Sequence, residues 1–211
     1  MHTAHSSSTT LPALSGVTQL RVRQKRELAE VFTGWETRNR YEIEDETGAP
    51  ILYAGETGGG VGAFFLRQWF GGKRPFTIEV KDRGGATVLT VKRPWRWFFA
   101  RAEIHDAQGR LLGAIQQKWA IFSRKYVIEG PTGAVGAELF GPFFKPWTFE
   151  LKVHGRVVGK IAKRWSGMLK EAFTDADNFG LELAPSVDDR LRPLCLGATF
   201  LIDFVHFEKN D

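Results

Sequence analysis

Asp175 and Asp177 are spaced as cation ligands are, and Gly180 follows where a twelve-residue calcium loop makes its sharp turn. The match then weakens. Phe179 occupies position five, Leu181 supplies the carbonyl of position seven, and Ser186 stands where the template has a bidentate Glu. A site built this way would hold calcium at about 10⁻⁴ to 10⁻³ M, with Glu182 or Asp188 to complete it. Asp and Asn side chains also accept backbone N–H groups, and on the residues alone a turn or a helix cap accounts better for the segment.

A second chemistry is written in aromatic rings beside cations, most densely in WRWFFAR from Trp95 to Arg101. Rings and cations together suit a phospholipid headgroup region, where Trp favours the interface and Lys and Arg meet phosphates. They equally suit single-stranded nucleic acid, which stacks bases on rings and sets phosphates on cations. Covalent chemistry is not expected. The sequence has no Gly-x-Ser-x-Gly and no His-Glu-x-x-His, and Gly155 to Lys160 is one residue short of a P-loop. His105, His154 and His206 are isolated, and no nucleophile has a plausible base, so an enzyme is not indicated. Cys195 is the sole cysteine, which excludes an intramolecular disulfide and a Cys-rich zinc site.

Five repeats position these groups. YEIEDETGAPILYA from Tyr41, FTIEVKDRGGATVLTV from Phe76, RAEIHDAQGRLLGAI from Arg101, RKYVIEGPTGAVGAEL from Arg124 and WTFELKVHGRVVGKIA from Trp147 each read strand, glycine turn, strand. Alternation is cleanest at Trp147, Phe149, Leu151 and Val153, against Thr148, Glu150 and Lys152. Five hairpins give ten strands, and Leu20 to Trp35 is expected to add one or two. A meander of that length must close or leave sticky edges, so the fold class is mainly β, a closed antiparallel barrel of about twelve strands.

Closure also predicts what fills the lumen. Arg192 to Phe207 is apolar apart from its first residue, Asp203 and His206, and is too short for a bilayer, which needs about 20 apolar residues. A buried helix inside the barrel is the expectation, with Gly197 and Ala198 where space is tight, and a membrane span is the alternative.

In such a meander the links between hairpins fall at one end. Phe64–Phe76, Lys92–Arg101, Gln117–Lys125, Phe140–Trp147 and Lys160–Gly167 hold six of the 7 Trp, 14 of the 29 Lys and Arg, and no Asp or Glu. The candidate lipid-binding residues are Phe64, Phe65, Trp69, Phe70, Arg93, Trp95, Arg96, Trp97, Phe98, Phe99, Lys118, Trp119, Phe143, Phe144, Lys145, Trp147, Lys163, Arg164 and Trp165. The same rings could instead plug the barrel end as core.

The whole-chain numbers agree with one domain that has an anionic partner. There are 211 residues, 43% hydrophobic and 25% charged, with a net charge of +5. Residues 1–16 read as a disordered Ser/Thr-rich tail without signal-peptide character, and 17–208 as the barrel. A cytoplasmic protein, or one on the cytoplasmic face of the plasma membrane, is expected.

The chain resembles the phospholipid scramblase family from about Leu20 to Glu208. The motifs are VRQKRELAEVFTGWETRNRYEI at Val22, KRPFTIEV at Lys73, GKIAKRWSGMLKEAFTDADNFG at Gly159 and GATFLIDFVHFE at Gly197. That family is similar in turn to the tubby C-terminal domain, a twelve-stranded barrel around a hydrophobic C-terminal helix. The resemblance implies calcium-dependent, ATP-independent movement of phospholipids between leaflets. It also implies calcium ligands from Asp175 to Ser186, where the family pattern has an Asp in place of Ser186. The region before KRPF has no cysteine for palmitoylation, which leaves Phe64, Phe65, Trp69 and Phe70 as alternative membrane contacts. Possible partners are an anionic phospholipid membrane, other proteins and, as the alternative function, nucleic acid.

Overall fold

The computed structural model describes residues 10–25, 35, 37, 39–57, 75–96, 98–163 and 178–207. The hairpins form where alternation and turn glycines coincide: β2 (Arg40–Glu44) with β3 (Pro50–Thr57), β4 (Phe76–Lys81) with β5 (Thr87–Arg93), β6 (Arg101–Asp106) with β7 (Leu111–Lys118), β8 (Ser123–Glu129) with β9 (Val135–Pro142), and β10 (Thr148–Val153) with β11 (Arg156–Ala162). Gly48, Gly85, Gly109, Gly133 and Gly155 all take positive φ in the five turns, the conformation for which glycine has no steric cost. Asp45, Asp82 and Asp106 each accept backbone N–H groups from two and four residues further on, so three of the turns share one side-chain device.

Each hairpin also shifts register by a bulge beside its turn, which increases the local twist that closure requires. The remaining two strands are β1 (Gln19–Lys25) and β12 (Asn178–Leu183), which pair with each other and shut the barrel. The segment Leu20 to Trp35 therefore supplies one described strand, and the twelfth comes from the acidic stretch, whose Phe179, Leu181 and Leu183 alternate as a half-buried strand does.

The lumen is filled by α1, Leu191–His206, in which every residue from Arg192 to Phe204 is buried. It packs against β5, β6, β7 and β12. Strand side chains alternate around it. On β4, Phe76, Ile78 and Val80 point in, while Thr77, Glu79 and Lys81 point out. Gly197 lets α1 come close to β6: a Cβ there would stand 2.6 Å from Ile104 Cδ1 and 2.9 Å from its Cγ1, well inside van der Waals contact. Tyr41 packs on Phe200 at 5.2 Å between centroids, and Phe76 on Phe204 at 4.2 Å. No helix among the described residues is long and apolar enough to cross a membrane.

The expected tail boundary at residue 16 is corrected. Thr10 to Gly16 belongs to the fold, with a 3₁₀ turn at Pro12–Leu14 that buries Leu14 against the core. Asp189 holds this segment, accepting hydrogen bonds from Ser15 Oγ and from the Gly16 amide at 3.1 Å. The almost fully buried Arg192 joins the clasp. Its Nε donates to Asp189 at 2.7 Å, Nη2 to the Val187 carbonyl at 3.0 Å, and Nη1 to the Val17 carbonyl. A buried guanidinium persists only when its donors are so matched.

Candidate functional site

The barrel has two ends of opposite character. The five glycine turns, the 3₁₀ turn and the start of α1 share one end, which we term the turn end; the links between hairpins and the last turn of α1 share the other, the rim. Three rim links are described: 94–96 and 98–100 between β5 and β6, 119–122 between β7 and β8, and 143–147 between β9 and β10. They follow one another around the barrel. Phe98, Trp119, Ile121, Phe122, Phe143 and Phe144 are between 67% and 92% exposed, far beyond what isolated surface rings need to explain them. Trp95, Phe99 and Trp147 are less exposed, at about 40%. Arg96 and Lys145 stand exposed among the rings, Lys118 joins them from the end of β7 with its Nζ 4.0 Å from Glu129 Oε1, and the described residues of these three links include no Asp or Glu.

The links are braced. Arg124 donates from Nη2 to the Lys145 carbonyl at 3.1 Å and from Nη1 to the Pro146 carbonyl, with its guanidinium 4.5 Å from the Phe149 ring. The Gln117 amide donates to the Ala100 carbonyl at 2.8 Å, and Gln117 Oε1 accepts from the Ala100 amide at 3.0 Å. Trp147 stacks on Phe207, the residue that ends α1, at 5.1 Å between centroids and 23° between planes. These bonds fix the link backbones and leave the tip rings facing out.

Two of the expected lipid-binding cations are corrected. Arg93 alternates with Leu89 and Val91 on β5 and so points into the lumen, where it is buried near the Phe76 ring. Lys163 is turned onto the end of α1: its Nζ lies 3.9 Å from Asp203 Oδ1 and over the rings of Phe207 and Phe179, at 4.8 and 5.5 Å. Both serve the inside of the rim because α1 ends there, and the C-terminal end of a helix attracts cations. Asp203 also accepts the Tyr41 hydroxyl at 2.9 Å. Beside them, Tyr126 Oη meets His206 Nε2 at 2.7 Å, and burial and then Arg124 push the imidazole down to about 4, which keeps it neutral. Sequence reading included Ile121 and Phe122 in a rim segment without naming them; their signal was an uncharged WAIF run set between two strands and flanked by cations. Phe64, Phe65, Trp69, Phe70, Trp97, Arg164 and Trp165 lie outside the described residues.

The calcium loop does not fit the described part of its segment. From Asn178 to Leu183 the chain is strand β12, laddered to β1 on one side and β11 on the other. Phe179 and Leu181 point into the core, with Leu181 paired to Leu20 and to Ile161. Asn178 is at the rim and Ser186 at the turn end, about 20 Å apart by the rise of a six-residue strand. One ion cannot be ligated from both ends. Asp188 is chelated by Arg190, at 2.5 Å from Nη2 to Oδ2, which with the Arg190 amide holds its carboxyl down at about 2. No cluster of three metal-ligating side chains exists among the described residues, and Asp175 and Asp177 lie outside them.

With the barrel and its rim established, comparison with known proteins decides the family: the scramblase family model matches residues 1–209. The chain belongs to the scramblase family. It is 36% identical over 214 residues to phospholipid scramblase 1 of Mus musculus, covering 95% of this chain and 64% of that protein. To phospholipid scramblase 2 of Bos taurus it is 35% identical over 214 residues, covering 95% of this chain and 72% of the relative. A phospholipid scramblase family protein of Schizosaccharomyces pombe is 30% identical over 173 residues, with 76% and 44% covered. The chain thus spans a little under two thirds of the length of the mouse scramblase. No solved structure matches it.

Proposed function

We propose that this scramblase-family chain is a phospholipid-binding protein that meets a membrane through its rim and takes part in moving phospholipids between leaflets. The three described rim links carry the reading: exposed aromatic tips beside exposed cations, on links that contain no carboxylate among their described residues, suit an anionic lipid surface, where each Lys or Arg near the surface contributes about 1 kcal/mol. The cytoplasmic leaflet is the anionic one, which favours that face.

The fold supports a peripheral mode. The apolar C-terminal segment is the core of the barrel, so spanning a bilayer would empty the lumen. The outer wall carries Glu79, Glu103, Glu150, Lys152 and Lys160 at outward positions, the reverse of a transmembrane barrel, whose outward band is apolar. No covalent step belongs to this reading, and none of its steps passes through calcium.

Sedimentation with vesicles tests it. The chain is expected to bind vesicles containing phosphatidylserine far more tightly than pure phosphatidylcholine vesicles, with the difference shrinking as salt rises. Equal binding to both lipids would remove the electrostatic part. Salt-dependent capture of oligonucleotides without vesicle binding would replace the lipid reading with a nucleic-acid one.

A further inference from the structure

We propose that the barrel docks end-on as a wedge. The tips Phe98, Trp119, Ile121, Phe122, Phe143 and Phe144 pass the headgroups of an anionic phospholipid bilayer into its acyl layer, while Arg96, Lys118 and Lys145 stop at the phosphates. This rests on the phospholipid-binding reading and adds depth and orientation to it.

The exposures carry the depth. Six apolar side chains on three neighbouring links are bare to at least 67%, whereas Trp95 and Trp147 from the same links are about 40% exposed. Trp147 is held back by its stack on Phe207. The rim therefore offers bare apolar tips together with partly covered tryptophans, the two kinds of group that acyl chains and headgroups take respectively. Gln117 ties the end of the first link at Ala100 and Arg124 ties the third at the Lys145 and Pro146 carbonyls, so the backbones of those two links need little ordering on entry. No carboxylate in the described links has to leave water.

The occupant is a bilayer and not a second copy of the chain. Two rims set face to face would bring Arg96, Lys118 and Lys145 against cations of the same kind, whereas anionic headgroups complement them.

Single nitroxide labels on Phe122→Cys, Phe144→Cys and Lys145→Cys report depth by oxygen and nickel-chelate accessibility on phosphatidylserine/phosphatidylcholine vesicles; Cys195 is fully buried in the barrel and does not compete for label. The two tip labels are expected below the phosphate plane and the Lys145 label at it. Tip labels at or above the phosphates on protein that still sediments with vesicles overturn the wedge and leave the binding reading standing. A chain that binds no vesicle loses both. The triple variant Phe122→Ser, Phe143→Ser, Phe144→Ser is expected to lose at least tenfold in vesicle affinity with an unchanged urea midpoint. Wild-type affinity in that variant, or a concentration-dependent dimer of the parent that the triple variant abolishes, also overturns the proposal.

Discussion

The rim and the turn end of this barrel are closed by different physics. At the turn end, polar groups are satisfied locally: three turn aspartates bond their own backbone, and Arg192 and Asp189 tie the N-terminal segment to the start of α1. At the rim, cations and rings cover the end of α1 on the inside, while apolar tips are left bare on the outside. One end spends its side chains on its own closure. The other holds back a surface that its own fold does not use, which is the signature of an interaction face.

That contrast can be broken by substitution. The largest effect is expected where both ends share a core: Phe200→Ala, which empties a fully buried ring site in the middle of α1, should cost about 3–5 kcal/mol in urea unfolding. Arg192→Met should cost about 2–4 kcal/mol, because it undoes the clasp, while vesicle affinity of the folded protein stays at the parent value; a loss of binding would show that the ends are coupled. The mirror experiment is Arg96→Gln with Lys145→Gln at the rim. It should remove about 2 kcal/mol of binding to anionic vesicles and leave the urea midpoint unmoved.

A pH titration sharpens the inner half of the rim. His206 is held down at about 4 in the fold against an ordinary 6.5, so the unfolded chain takes up its proton first. Its contribution is present in full above about pH 6.5 and is lost as pH falls toward 4, on the order of 1–2 kcal/mol for this partly exposed ring. His206→Gln should flatten that window. The smallest expected effect is nil: Ser186→Asp restores the calcium template on paper, yet should not raise calcium affinity in calorimetry, because β12 separates Ser186 from the rim. A tenfold gain would restore the loop.

Alternation and turn glycines made ten of the strands legible, since both signals are local and repeat five times, while the buried helix showed as an apolar run too short for a bilayer. The twelfth strand was not read, although Phe179, Leu181 and Leu183 alternate. Two aspartates just upstream and Gly180 within the strand match a loop template, and a strand that closes a barrel finds its partner β1 about 160 positions away. Arg93 and Lys163 were misplaced for a related reason: composition puts a cation at the rim, but only strand parity and the end point of α1 decide whether it faces out or in. The acid-free links themselves were plain, because a missing residue type over several segments needs no geometry to see.

The pairing of Gln19 with Glu182 and the place of α1 after every strand bear on how the molecule is made. During synthesis β1 has no partner on one side and the lumen has no filling, so the sheet waits open until β12 and α1 emerge. At about 5–20 residues per second, the stretch from β1 to the end of α1 takes on the order of 10–40 s to make. During that time, an unpaired strand edge and an apolar inner face stay exposed, the two features that make a nascent sheet prone to wrong pairing until α1 arrives.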